Sequence, residues 1–286
     1  MIWFGLSILC SVLIFLLFNI FPRYRIHTFR AITTNYLVAF LLGIVSGGGE
    51  QPMRSAFPFL PWAVLIGLLF ISLFGLMARV TQDYGVSAVS VAVKMSLAIP
   101  VLFSLVYFDE HLNKVNILGI GLAFPALFLS IAGKQDVHGS IRFGWMPVVL
   151  FVGSGLLDSL LKYVQQVHLS EQVTALFTAL CFGSAFVFGV VSLVVRWVMK
   201  RDKIMDFRSV VAGILLGIPN FGSIYFLVRA LQIPGMDGSR AFPINNMGIV
   251  ILSALVSIFV FREKFSSSKT WSVFLALVSI LLMSKS

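Results

Sequence analysis

Seven stretches of this chain, 1–22, 31–49, 55–78, 115–133, 172–195, 209–228 and 241–261, run for nineteen residues or more without a charged side chain. At about 1.5 Å of rise per residue, a helix of that length crosses the roughly 30 Å hydrocarbon core of a bilayer. A shorter apolar run, 270–284, reaches across with its polar flanks included. Two further segments are as apolar but carry charge: 86–108 contains Lys94, and 144–165 contains Asp158 and Lys162. Leaving them in water would cost about 25 cal/mol for each Å² of apolar surface exposed. Counting them in gives ten spans. Composition agrees: 59% of residues are hydrophobic and 11% charged, at a mean hydropathy of +1.00. An ordinary soluble domain has about a quarter charged residues. The expected fold class is therefore an all-α integral membrane protein of ten transmembrane helices.

The opening MIWFGLSILC has no basic n-region, and its apolar run is too long for a cleaved signal peptide, so it reads as a retained first span. Cys10 and Cys181 both lie inside spans without metal-ligand neighbours, which argues against a structural disulfide or a metal site. The net charge of +10 does not imply nucleic acid, because of where it sits. Fourteen Lys and Arg fall in loops after odd-numbered spans, five fall on the opposite side, and only Lys94 and Lys162 lie within spans. That asymmetry is the positive-inside pattern. The basic run RWVMKRDKIMDFR accordingly reads as a cytoplasmic loop rather than an anionic-lipid or nucleic-acid site, and both termini are expected on the side away from the cytoplasm.

The chain also resembles itself. ARVTQDYG after span 3 matches VRALQIPG after span 8, pairing Arg79, Gln82 and Gly85 with Arg229, Gln232 and Gly235 at an offset of 150. SLVYFDEH at the end of span 4 matches SIFVFREK at the end of span 9, pairing Ser104, Phe108 and Glu110 with Ser257, Phe261 and Glu263 at an offset of 153. Trp3 and Trp145 each open the first span of their half. The expected organisation is two five-span repeats, 1–134 and 144–286. Five is odd, so the second copy enters the membrane from the opposite side. Inverted repeats of this kind usually belong to secondary transporters with a site near the membrane midplane.

Ten spans arranged as five plus five, an acidic residue just after spans 4 and 9, and a Gly-containing loop before span 4 resemble the drug/metabolite transporter superfamily, in particular its EamA branch. The resemblance covers the whole chain, although Phe-Asp-Glu and Phe-Arg-Glu stand where members often have Gly-Glu. It implies a cavity between the halves lined by spans 1 to 4 and 6 to 9, with spans 5 and 10 peripheral. It also implies both termini in the cytosol, the reverse of the charge count.

The charges within the spans single out candidate substrate-binding residues. A lysine at a helix centre costs roughly 2.5 to 3.5 kcal/mol on insertion scales, so it is expected to face a polar cavity or a partner. On a helix, Ser87, Ser90, Lys94 and Ala98 share one narrow face, and Pro100 is expected to kink the span beside the charge. In span 6, Asp158 and Lys162 are one turn apart and can pair with each other, or Asp158 can reach Lys94. Either way the spans hold two cations and one anion, which favours an anionic or carboxylate-bearing solute. Asn220 in GIPNFGS and Asn245 and Asn246 in FPINNMG add amides beside prolines, with Asn19, and Asn35 next to Tyr36, as secondary candidates. The G-x-x-x-G patterns GIVSG and GILLG read as close-packing sites.

The expected function is a secondary active transporter moving a small polar metabolite by alternating access across a bacterial inner (plasma) membrane. No cofactor is called for. The expected partners are a small-molecule substrate, the lipid bilayer, a coupling proton or ion and a second copy of the chain, with no nucleic acid. A flippase for a phosphate-bearing lipid carrier is the alternative within transport. A membrane-embedded lipid-modifying enzyme is disfavoured, because the chain has no H-E-x-x-H or G-x-S-x-G motif and its four His lie in or near loops, while the lack of a P-loop argues against direct drive by ATP.

Overall fold

The computed structural model describes residues 2–48, 58–107, 114–131, 144–167, 171–199, 205–231, 238–263 and 266–284. Among these residues the secondary structure is entirely helical: α1 (Ile2–Ile20), α2 (Thr28–Gly43), α3 (Leu60–Tyr84), α4 (Val86–Met95), α5 (Ala98–Tyr107), α6 (Lys114–Ile131), α7 (Trp145–Val167), α8 (Glu171–Val198), α9 (Phe207–Leu231), α10 (Gly238–Phe259) and α11 (Ser267–Met283). A π-helical turn, Ile44–Gly48, extends α2. Eight helical stretches are long and apolar enough to cross a membrane, α4 and α5 together forming one of them, Val86–Phe103. Lys114–Ser130 and Ser267–Met283 are apolar but shorter. Large apolar side chains such as Leu68, Leu156 and Leu215 remain exposed along these helices, as suits helices surrounded by lipid rather than water.

The chain divides into two compact units. One comprises Met1–Asn19, Leu76–Ser159 and Gly222–Ser286, the other Ile20–Gly75 and Leu160–Phe221. In the first, α6 and α11 pack on each other more extensively than any other pair of elements. Small residues explain the closeness: a Cβ on Gly119 would lie 2.8 Å from the Met283 side chain and 2.9 Å from the Ser279 carbonyl. Three serines of α11 then donate to α6 carbonyls, Ser268 to Leu129 at 2.8 Å, Ser272 to Ala126 at 2.8 Å and Ser279 to Gly119 at 2.7 Å. Where lipid offers no hydrophobic drive between helices, such close approach and interhelical hydrogen bonding hold them together.

In the second unit, α2 packs on α8 and α9. Gly213 and Gly217, the GILLG pair, lie against Thr34 and Val38, so that motif serves packing as its spacing suggests. Tyr36 anchors an aromatic cluster with Phe70, Phe74 and Phe182 at centroid distances of 5.6–6.4 Å. At one end, Asp206 joins α2 to the start of α9. Its carboxylate accepts the Ser209 N–H at 2.8 Å, the Ser209 hydroxyl at 2.8 Å and Arg30 Nη1 at 2.7 Å, and the Ser209 hydroxyl accepts the His27 N–H at 3.1 Å. Partial burial pushes the Asp206 carboxyl up, but the hydrogen bonds from Ser209 and Arg30 and the Arg30 charge outweigh it and hold the carboxyl below its usual range. A folded-state value below the unfolded one means that this stabilisation is complete above the unfolded range, near pH 4, and fades as pH falls through the depressed value. Asp206→Ala is expected to cost about 1 kcal/mol as a lost helix cap. Unfolding midpoints in detergent measured down to acid pH check this, the gap between wild type and variant closing as the wild-type carboxyl protonates.

Candidate functional site

The site is built around an interruption in the fourth span. Pro100 has no N–H, and its ring crowds the carbonyl four residues back, at Ser96. Helix α4 stops at Met95, Ser96 and Leu97 form a turn, and α5 begins at Ala98. The Ser96 carbonyl takes the Ile99 N–H at 2.9 Å, a tighter three-residue closure, while the Ser96 hydroxyl donates to the Val93 carbonyl at 2.6 Å. Lys94 therefore stands in the last turn of a half-helix, where the carbonyl end of the helix dipole favours a cation. Ala98 belongs to the next helix and no longer shares the continuous face expected for it.

Helix α7 brings the opposite charge. Gly155 is the residue that lets it approach: a Cβ there would lie 2.5 Å from Ile99 Cδ1 and 2.6 Å from Ile99 Cβ, within the first turn of α5. Asp158 is three residues along on the same face. It is accessible to solvent yet surrounded by protein, Lys94 is half-buried, and each feels the other's charge. Of the two pairings left open by spacing alone, this mutual influence favours that of Asp158 with Lys94. Lys162, one turn further on, is half-buried and belongs to the other compact unit, as does the buried Asn220.

Ser90 is fully buried, with its hydroxyl donating to the Ser87 carbonyl at 2.8 Å, so its proton is already committed to the backbone. Asn245 and Asn246 lie on α10 in the same unit as Lys94 and Asp158. Asn245 is buried and its Oδ1 has no hydrogen-bond partner among the described residues; Ser253 Oγ, two turns along the same face, is likewise unpartnered. A buried acceptor left unpaired costs on the order of 1–3 kcal/mol, which is relieved when a polar solute or water reaches it. Asn35 is fully buried, with neither amide atom partnered among the described residues, whereas Asn19 reaches the Thr81 carbonyl at 3.5 Å.

A second constellation holds the start of α4. Gly85 adopts φ 93°, a conformation open to glycine, and the first two N–H groups of the helix turn to residues far along the chain. Val86 N–H donates to Glu263 Oε1 at 3.3 Å and Ser87 N–H to Ser257 Oγ at 3.0 Å. Lys269 Nζ holds the other Glu263 oxygen at 3.1 Å. A Cβ on Gly85 would lie 2.5 Å from the Glu263 carboxylate oxygens. Glu110 and Gly235, their expected counterparts in the other repeat, lie outside the described residues.

The helices define a multi-helix protein with bilayer-length apolar segments, two of which carry the charges Lys94 and Asp158. No family model matches the chain. A Haemophilus influenzae protein described as an uncharacterized protein is 28% identical over 288 residues, spanning 96% of this chain and 94% of its own length. A solved crystal structure, described only as that of a protein, shares the fold with a TM-score of 0.58 at 14% identity, covering 96% of this chain and 95% of its own.

Proposed function

We propose that the chain is a secondary active transporter of the drug/metabolite transporter type, with ten spans in two inverted repeats, moving a small carboxylate-bearing metabolite across a bacterial inner membrane. The observation that carries this reading is the Lys94–Asp158 couple beside a helix break within an apolar span. Interrupted helices with a charge at the break are how transporters build ion and substrate sites near the midplane. The repeat draws support from the compact units. By span, one unit holds 1, 4, 5, 6, 9 and 10 and the other 2, 3, 7 and 8, so adding five maps each onto itself. The boundary inside span 3 falls four residues from that inside span 8 at the offset of 150, and the boundary inside span 1 falls two residues from that inside span 6 at the Trp3–Trp145 spacing of 142.

In this mechanism Lys94 exchanges the Asp158 carboxylate for the carboxylate of the solute. The released Asp158 takes up a proton, which couples solute movement to the proton gradient. Asn245 and Asn246 supply neutral polar contacts to the solute. Uptake of labelled mono- and dicarboxylates into proteoliposomes, with wild type beside Lys94→Met, tests the assignment. Flux carried equally by both would remove Lys94 from the site.

A further inference from the structure

At one end of the second compact unit, the turn after α1 and the first turns of α9 enclose an open pocket of about 600 Å³. Arg23, Arg25 and Arg208 surround it, Tyr24 lies at its rim, and Val211 and Leu215 continue it down α9. The turn is a defined structure: Ile26 N–H closes onto the Phe21 carbonyl at 3.0 Å, and Arg25 adopts φ 53°, a left-handed conformation uncommon for a side chain of this size. The Arg30–Asp206–Ser209–His27 network behind it fixes the α2 and α9 termini to each other. The arginines therefore stand on a fixed frame.

We infer that this pocket binds the phosphate headgroup of an anionic bilayer lipid, with an acyl chain along α9. Guanidinium groups match phosphate oxygens in paired hydrogen bonds. Below them, Phe207, Val211, Leu215 and Ile218 form one exposed apolar stripe, with Phe207 82% and Leu215 54% exposed. A free anion would use the arginines alone, whereas a basic mouth above an apolar strip fits a molecule with a charged head and a hydrocarbon tail. The charge count, in preference to the orientation that the family resemblance implies, puts this end at the cytoplasmic leaflet, where anionic lipids attract basic residues. The inference rests on the bilayer reading and is independent of whether the protein transports anything.

The test uses the full chain in detergent, with dioleoylphosphatidylglycerol, dioleoylphosphatidylcholine and glycerol 3-phosphate as probes. Native mass spectrometry reads retained lipid, and thermal unfolding reads half-saturation. Phosphatidylglycerol is expected to be retained and stabilising, phosphatidylcholine weakly so and glycerol 3-phosphate not at all. Arg25→Gln with Arg208→Gln is expected to raise half-saturation by phosphatidylglycerol about tenfold. Arg25→Lys with Arg208→Lys recovers much of the loss, and Arg79→Gln with Arg262→Gln, an equal change in charge elsewhere, leaves binding intact. Should the glutamine pair not fold, Arg25→Gln alone carries the comparison. The inference fails if the glutamine variant retains phosphatidylglycerol like the wild type, if the control pair loses as much, or if glycerol 3-phosphate stabilises as well as the lipid.

Discussion

If the proposed transport holds, Lys94→Met is expected to lower carboxylate flux by about a hundredfold or more in a protein that still inserts and folds. Methionine keeps the length and flexibility of the side chain and removes only the ammonium. Truncating one partner of a desolvated charge pair costs about 2–5 kcal/mol of binding, and each 1.4 kcal/mol or so is tenfold. The same change leaves Asp158 without its compensating charge, and because Asp158 is accessible to solvent the loss of stability is screened to well under the roughly 3–5 kcal/mol of a fully buried pair. Adding Asp158→Asn removes the stranded carboxylate, so the double variant is expected to regain part of that stability while flux stays low. This split separates a binding role from a structural one. If Asp158 instead depended on Lys162, the cycle between Lys94 and Asp158 would show no coupling, and Lys162→Met would be the variant that Asp158→Asn rescues.

Gly85→Ala is the second large effect expected. Alanine at φ 93° is strained by about 1–3 kcal/mol, and its methyl group would meet the Glu263 carboxylate at 2.5 Å. The two penalties share a location but have different causes, and variants of Glu263 separate them. Glu263→Ala leaves Val86 N–H and Lys269 without their acceptor, whereas Glu263→Gln keeps a carbonyl for Val86 and loses only the ion pair. Apparent melting temperatures should therefore fall in the order Gly85→Ala, Glu263→Ala, Glu263→Gln, the last nearly at wild type. A Gly85→Ala protein as stable as the wild type would mean that this turn is not held as described.

The helical segments were legible because hydrocarbon permits few alternatives: a charge-free run of about twenty residues must satisfy its own backbone. The interruption of the fourth span was foreshadowed by Pro100, although the effect on the backbone falls four residues earlier, at Ser96, and separates Ala98 from the face of Lys94. What spacing could not decide was the partner of Asp158. Lys162 is adjacent on the helix and Lys94 distant in sequence, and the choice depends on how closely α7 approaches α5. That approach hangs on Gly155, one of 23 glycines and indistinguishable from the rest until Ile99 is seen against it. The cap on α4 was hidden for the same reason, since Val86 and Glu263 are 177 residues apart. Ser90 shares a helical face with Lys94, but its hydroxyl turns inward to the backbone of its own turn. The arginine pocket joins the turn after α1 to the first turns of α9, whose arginines read separately in the sequence as ordinary positive-inside charge.

The central claim is that a solute site within the spans opens to each side in turn, and solute counterflow tests it most directly. Proteoliposomes preloaded with an excess of unlabelled carboxylate are diluted into a trace of the labelled solute, without ATP. A carrier accumulates label transiently above its external concentration, and the account predicts that overshoot for the wild type and its loss in Lys94→Met. Label that only equilibrates, or no uptake of any carboxylate in the panel, would contradict it.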